Sequence, residues 1–309
     1  MEGQDMARIV VFAEYGEPEV LRVIETDDPY PGEGEIRVRV KAAGVQPFDA
    51  GYRRGAFARY NPAVFPARLG NEVAGVVDMV GTGVTEFTAG EPIIAFVDAV
   101  GYADTVVAPA ANAVRKPSTM PWPEAGVLSA SGQTADTALD ALNVTAGDRL
   151  LIHAAAGGVG SFATQLAVAR GATVIGTASR HNHAYLEGLG AIPVTYGPGL
   201  ADRVRRLAPE GITAALDCIG GEANDISVRL LGTAERAVTL ADWQAEQRCG
   251  VRRVGTDRSA ARLADLVVRY EKGDLTVPIW KRFGLEEASL AHREIETGHA
   301  RGKIVLVTT

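Results

Sequence analysis

Hydrophobic and polar positions follow two rhythms along the chain. In the first third, apolar residues alternate with charged ones over short stretches separated by glycine and proline. Ile36-Arg37-Val38-Arg39-Val40-Lys41-Ala42 has a period of two, which predicts a half-exposed strand over residues 33–44. Residues 7–12 predict an opening strand, and Pro29, Pro31, Gly32 and Gly34 mark the turn between the two. Further short apolar runs at 69–77 and 90–96 suggest an all-β or α+β first domain. From Pro123 the rhythm lengthens. Residues 124–142 are Ala-rich and helical in character, and apolar runs at 150–154, 173–178, 192–196, 214–219 and 237–240 alternate with helical stretches. That alternation predicts a doubly wound parallel sheet. Residues 259–272 predict a further helix and 302–307 a last strand.

The most informative stretch is 149–180. An apolar strand, Leu150-Leu151-Ile152-His153-Ala154, leads into Ala156-Gly157-Gly158-Val159-Gly160. A helix follows, with Val159, Phe162, Ala163, Leu166 and Ala167 at i, i+3, i+4, i+7 and i+8, and Arg170-Gly171 as its stop. A glycine turn between strand and helix lets a diphosphate approach the backbone, where unpaired N–H groups meet it. Gly157, Gly158, Val159 and Gly160 are therefore candidate dinucleotide-binding residues; a merely structural turn is the alternative.

The end of the next strand selects the cofactor. Folds that prefer NAD place an Asp or Glu about 20 residues beyond the glycines, on the ribose 2′-hydroxyl. Here Ser179 and Arg180 stand there, with no carboxylate. A hydroxyl and a guanidinium suit the 2′-phosphate of NADPH. A solvated Arg at a strand end is the competing reading.

Composition narrows the field. The chain has 309 residues, 47% hydrophobic and 22% charged, which is ordinary for a globular protein with room for two domains. A net charge of −7 argues against non-specific nucleic-acid binding. No apolar run is long enough to span a bilayer and the first residues do not resemble a signal peptide, so no membrane association is expected. Cys218 and Cys249 are the only cysteines, too few for a disulfide framework, and a cytoplasmic setting is the simplest expectation.

The order of motifs resembles the medium-chain dehydrogenase/reductase superfamily, and within it the zinc-independent quinone oxidoreductases. The residues that carry the resemblance are Ala42 to Asp49, Gly70 to Gly83, Ala154 to Gly160, Asp217 to Gly221, and Arg301-Gly302-Lys303-Ile304-Val305. The resemblance implies a GroES-like β domain (residues 1–123 and 258–309) that carries the substrate side, and a Rossmann domain (124–257). It also implies an active site between the two and a homodimer. Zinc-dependent relatives use a Cys in the stretch matching Val45 to Asp49 and a His in the segment matching Gly70-Asn71-Glu72. Neither is present here, so no metal is expected.

Without a Lewis acid the acceptor must take hydride readily. A quinone or α,β-unsaturated carbonyl qualifies, because its charge spreads onto a conjugated oxygen. By resemblance the candidate catalytic residues are Gln46, where many relatives have Asn; Asp49, with a loop-orienting role as the alternative; and Tyr52, one residue beyond the usual family Tyr. Tyr196, by resemblance near the adenosine phosphate, with a strand-end aromatic covering the sheet edge as the alternative, and the strand-end residues Ile219 and Leu240 complete the candidate cofactor set. His153 and Cys218 read as buried strand residues, His181 and His183 as a solvated helix start. Trp243 reads as a stacking wall or plain loop packing. Two other functions remain open: reduction of an enoyl thioester or polyketide intermediate, and a non-catalytic NADPH-binding sensor.

Overall fold

The structure, a computed structural model, describes residues 6–308. In chain order, strands β1 (Met6–Phe12), β2 (Arg22–Asp27) and β3 (Glu35–Val45) precede a short helix α1 (Pro47–Arg53). Then come β4 (Ala67–Arg68), β5 (Glu72–Val80), β6 (Pro92–Phe96), β7 (Thr105–Pro109) and β8 (Ala113–Arg115), followed by α2 (Trp122–Ala125) and α3 (Leu128–Ala141). The alternating region runs β9 (Arg149–His153), α4 (Gly158–Ala169), β10 (Thr173–Ala178), α5 (His183–Gly188) and β11 (Ile192–Thr195). It continues α6 (Leu200–Leu207), β12 (Ala214–Asp217), α7 (Glu222–Leu231), β13 (Ala237–Thr239), α8 (Ala245–Cys249) and β14 (Arg252–Arg253). The chain ends with α9 (Ala260–Glu271), β15 (Ile279–Gly284), α10 (Ala288–Glu296) and β16 (Lys303–Val307).

These elements form two compact units. The first holds residues 6–130, 258–271 and 279–308; the second holds 131–257 and 272–278. In the first unit a seven-stranded sheet runs β15-β16-β3-β5-β6-β8, with β7 also on β3, and a smaller sheet runs β2-β1-β4. Ile36, Val38 and Val40 of β3 point into one core with Val73, Val77, Ile93, Ile304 and Leu306. The other face of β3 is less exposed than its alternation predicts. Arg37 is buried, because Asp78 on the neighbouring β5 takes its guanidinium with two hydrogen bonds of 2.9 and 3.1 Å. The single helix expected over 124–142 is two, divided at Gly126-Val127, where the short α2 packs against β3 and β5.

The second unit is a six-stranded sheet in the order β11-β10-β9-β12-β13-β14, parallel at every pair. Leu151, Ile175, Val194, Ala215 and Ala237 line one face, covered by Leu200 and Val204 of α6. From β9 the chain steps outward through β10 and β11, then returns to β12 on the other side. The reversal opens a crevice at the carboxyl ends of β9 and β12, where ligands bind in such sheets.

Candidate functional site

In the second unit, β9 delivers the chain to Gly157, the N-cap of α4. A helix start leaves its first N–H groups without intrahelical partners. At Gly160 an added Cβ would strike the Ala154 carbonyl and lie 2.7 Å from Ala155 Cα. Glycine here lets the helix sit directly on the end of β9. The turn is locked from below: Thr177 Oγ1 of β10 accepts the Ala154 N–H at 3.0 Å, and the Thr177 carbonyl accepts the Ala155 N–H at 3.0 Å. Gly157, Gly158, Val159 and Gly160 thus stand together at the head of α4, with Val159 half-buried rather than in the helix core.

Ser179 and Arg180 follow β10, its neighbour in the sheet. The Arg180 side chain is exposed and makes no hydrogen bond or ion pair among the described residues. Ser179 Oγ lies 3.2 Å from His181 Nε2, and Asn182 Nδ2 donates to it at 3.3 Å. His183 turns elsewhere, with Nε2 3.3 Å from Thr195 Oγ1. Tyr196, just past β11, is 55% exposed; Arg203 fixes its loop by donating to the carbonyls of Thr195, Tyr196, Gly197 and Pro198.

Ile219 and Leu240 follow β12 and β13. Both strands stop earlier than the apolar runs suggest, and Asp217 explains why. Its buried carboxylate accepts the N–H groups of Ile219 and Gly220 at 2.8–3.0 Å, Asn224 Nδ2 at 2.9 Å and the Thr239 hydroxyl at 2.6 Å. Side-chain bonds to the backbone thus replace the ladder at this edge of the crevice. Cys218 lies in this bend, half-buried, rather than in the strand. His153 is a buried residue whose Nε2 meets Ser227 Oγ at 3.0 Å. Burial holds it neutral, with its pKa down to about 4. Arg253 lies over the Trp243 ring at 3.5 Å from its centroid, so a guanidinium covers part of that exposed indole.

In the first unit three strand ends converge. β16 pairs with β3 so that Ile304 faces Val45, and Ala43 faces Val73 of β5. This register brings together Gln46, Glu72 and Lys303, all buried. Glu72 accepts a hydrogen bond from Gln46 Nε2, takes the Ala130 N–H at 2.7 Å, and lies 3.3 Å from Lys303 Nζ. A carboxylate can only accept, so Glu72 turns the Gln46 amide with its nitrogen inward and leaves Oε1 as an acceptor.

Asp49 sits three residues into α1 and caps it, accepting the Gln46 N–H at 2.9 Å. Its carboxylate also accepts the Tyr102 hydroxyl at 2.9 Å and Asn71 Nδ2 at 2.8 Å. Burial pushes its pKa up to about 6 against the lowering effect of the Gln46 and Tyr102 bonds and of Lys303. Asp49 is 1% exposed and three donors engage its carboxylate, an arrangement that ties it to the Gln46 loop. Tyr102 Oη lies 3.4 Å from His292 Nε2, and burial with Arg53 and Arg54 holds that imidazole down to about 3. Sequence reasoning passed over Lys303, Tyr102 and His292, because only strand register and helix α10 bring them here.

Tyr52 is half-buried, edge-on to Phe12 (5.8 Å) and parallel to Phe48 (6.3 Å). Burial, and Tyr15 nearby, raise its pKa above the usual phenol value, so it holds its proton at neutral pH.

The segments that zinc would need offer a poor donor set. Asn71 has turned its amide to Asp49, and Glu72 is occupied by an ammonium and two N–H donors. Among the described residues no cluster of three or more His, Cys, Asp or Glu side chains is placed to hold a metal ion. These residues do not fit a zinc ion.

Comparison with known proteins agrees with this architecture. Residues 32–118 match the family described as alcohol dehydrogenase GroES-like domain, and 189–306 that described as zinc-binding dehydrogenase. The chain is 30% identical to a quinone oxidoreductase of Pseudomonas aeruginosa, over 98% of this chain and 100% of that one. It belongs to the quinone oxidoreductase family of the medium-chain dehydrogenases and reductases. This quinone oxidoreductase relative superposes on the quinone oxidoreductase of Coxiella burnetii with a TM-score of 0.87, at 29% identity, covering 99% of this chain and 100% of that one. A mycobacterial protein described as complexed with NADPH matches with a TM-score of 0.86, at 29% identity, over 97% of this chain and 99% of that one. The family member is thus an oxidoreductase with a GroES-like and a Rossmann-like unit and a nicotinamide dinucleotide cofactor, acting on a small molecule.

Proposed function

We propose that this chain is an NADPH-dependent reductase that passes hydride to a quinone or an α,β-unsaturated carbonyl without zinc. The observation that carries the reading is the buried Lys303–Glu72–Gln46 cluster. It fills the strand ends where zinc-dependent relatives, by the resemblance above, place metal ligands, and it puts a cation and an amide there instead. An acceptor whose charge delocalises onto a conjugated oxygen needs no metal to take hydride.

The second unit would hold the dinucleotide, with its diphosphate on the head of α4. Arg180 and Ser179 would take the 2′-phosphate; Tyr196, Ile219 and Leu240 would border the adenosine and nicotinamide halves. The bound nicotinamide supplies the hydride. In the first unit Gln46 would accept a hydroxyl of cofactor or substrate through Oε1, held by Glu72, while Asp49 positions its loop. Tyr52, protonated at neutral pH, or water would deliver the proton. The NADPH-bound mycobacterial relative supports the cofactor choice. Assembly as a homodimer in the cytoplasm belongs to the same proposal, from the family resemblance.

The test is steady-state NADPH oxidation with a benzoquinone, a naphthoquinone, a short enone and an enoyl thioester. Turnover with the quinones or the enone is expected. Turnover with the thioester alone would move the assignment to a biosynthetic enoyl reductase. NADPH binding without turnover on any of the four would mark a sensor.

A further inference from the structure

Two neighbouring strand ends in the second unit are held by one buried pair. Asp217 closes β12 and Thr239 closes β13, and the two are register partners in the parallel sheet. Thr239 donates its hydroxyl to Asp217 Oδ2 at 2.6 Å, and neither residue is more than 1% exposed. Each member then collects the N–H groups of the chain that leaves its own strand. Asp217 takes those of Ile219 and Gly220, at 2.8–3.0 Å. Thr239 Oγ1 takes those of Ala241 and Asp242, at 3.2 and 3.1 Å. Gly220, at a φ of +89°, lets the first of these chains turn so tightly.

A trans peptide points its N–H and the preceding C=O in opposite directions. Four N–H groups drawn onto the buried pair therefore turn four carbonyls away from it: those of Cys218, Ile219, Leu240 and Ala241. None of the four accepts a hydrogen bond among the described residues. The neighbouring N–H groups are engaged as well. Leu240 donates to the Asp217 carbonyl at 2.9 Å, and Gly221 to Asp242 Oδ2 at 3.2 Å. Ile219 is 62% exposed, so this rim lies open at the carboxyl end of β12. It presents hydrogen-bond acceptors side by side from two strands, which suits a ligand group with two N–H donors, as a primary amide has.

We propose that Asp217 is a positioning residue for the dinucleotide: directly and through Thr239, it holds both strand ends with their carbonyls toward the carboxamide NH2 of the nicotinamide. The inference rests on the dinucleotide reading of the second unit and adds what orders the nicotinamide end. Asp217 itself touches neither cofactor nor acceptor. Its effect is carried by backbone, so replacing the Ile219 or Leu240 side chain leaves the carbonyls in place, and the buried pair is where a substitution reaches them.

The experiment titrates NADPH and its reduced 3-acetylpyridine analogue, in which a methyl replaces the carboxamide NH2, by calorimetry without any acceptor. The native protein binds NADPH about tenfold more tightly, the difference that one net hydrogen bond makes. Thr239→Val keeps the shape of the side chain and removes the hydroxyl. Asp217→Asn puts an NH2 where Thr239 needs an acceptor. In both variants the ratio of the two dissociation constants falls toward one, because NADPH binding weakens while analogue binding barely changes. Thr239→Ser, which keeps the hydroxyl, retains the native ratio. An unchanged ratio in folded Thr239→Val overturns the positioning role, and so does a ratio kept while both ligands weaken alike, the mark of a merely structural pair. Equal binding of the two ligands by the native protein overturns it too. Binding of neither by the native protein overturns the dinucleotide reading and this inference with it. Failure to reduce any acceptor leaves the titration untouched and counts against the reductase reading alone.

Discussion

Lys303 Nζ lies 3.3 Å from Glu72 Oε1, and neither side chain is more than 2% exposed. Two charges sealed from water are stable only as a pair, and removing one leaves the other buried and uncompensated. Lys303→Met should therefore destabilise the protein by about 3–5 kcal/mol, the usual cost of breaking such a pair. Urea denaturation checks this. Glu72→Gln in the same background should recover part of the loss by removing the stranded charge, and no recovery would mean the two residues are not coupled.

Asp49 gives the fold a pH signature. Its folded pKa of about 6 lies above its ordinary 3.8, so the native state holds the proton more tightly than the unfolded chain. The stabilisation from protonated Asp49 is complete below about pH 4 and is lost as pH rises through 6. At about 1.4 kcal/mol per unit, the change is on the order of 2–3 kcal/mol. Asp49→Asn cannot titrate. Unfolding free energies measured from pH 4 to 7 should show wild type losing stability relative to the variant; a constant difference would contradict the assignment.

Arg180 should act on one cofactor only. It is exposed and unpartnered among the described residues, so Arg180→Ala should leave the melting temperature unchanged. A charge-assisted bond to phosphate contributes roughly 1.5–3 kcal/mol, so KM for NADPH should rise at least about tenfold while that for NADH barely moves. Equal losses for both would show that Arg180 does not read the 2′-phosphate.

Gly160→Ala tests the dinucleotide turn. The new methyl cannot fit against Ala154 and Ala155 unless the head of α4 moves. NADPH affinity, measured by fluorescence titration, should fall more than tenfold. Retained affinity in a folded variant would show that the diphosphate does not use this turn.

Much of this was legible in the sequence. The apolar runs locate the five main parallel strands, because a strand buried on both faces must be apolar throughout. The Gly157–Gly160 turn is visible because its residues are contiguous. The first-unit site is not, because it joins Gln46, Glu72, Tyr102, His292 and Lys303 across up to 257 positions of sequence through strand register and one late helix. Asp49 entered the candidate set by resemblance, with loop orientation as its alternative, and two of its three donors, Asn71 and Tyr102, reach it only through the fold.

The central claim is hydride transfer from NADPH without zinc, and chelator-treated protein tests it most directly. Zinc is first shown absent by elemental analysis. Then kcat/KM is measured for NADPH and NADH with the best acceptor of the panel. The account predicts full turnover by the metal-free protein and at least a tenfold preference for NADPH. Activity that vanishes with the metal and returns with added zinc, or equal use of NADH, would contradict it.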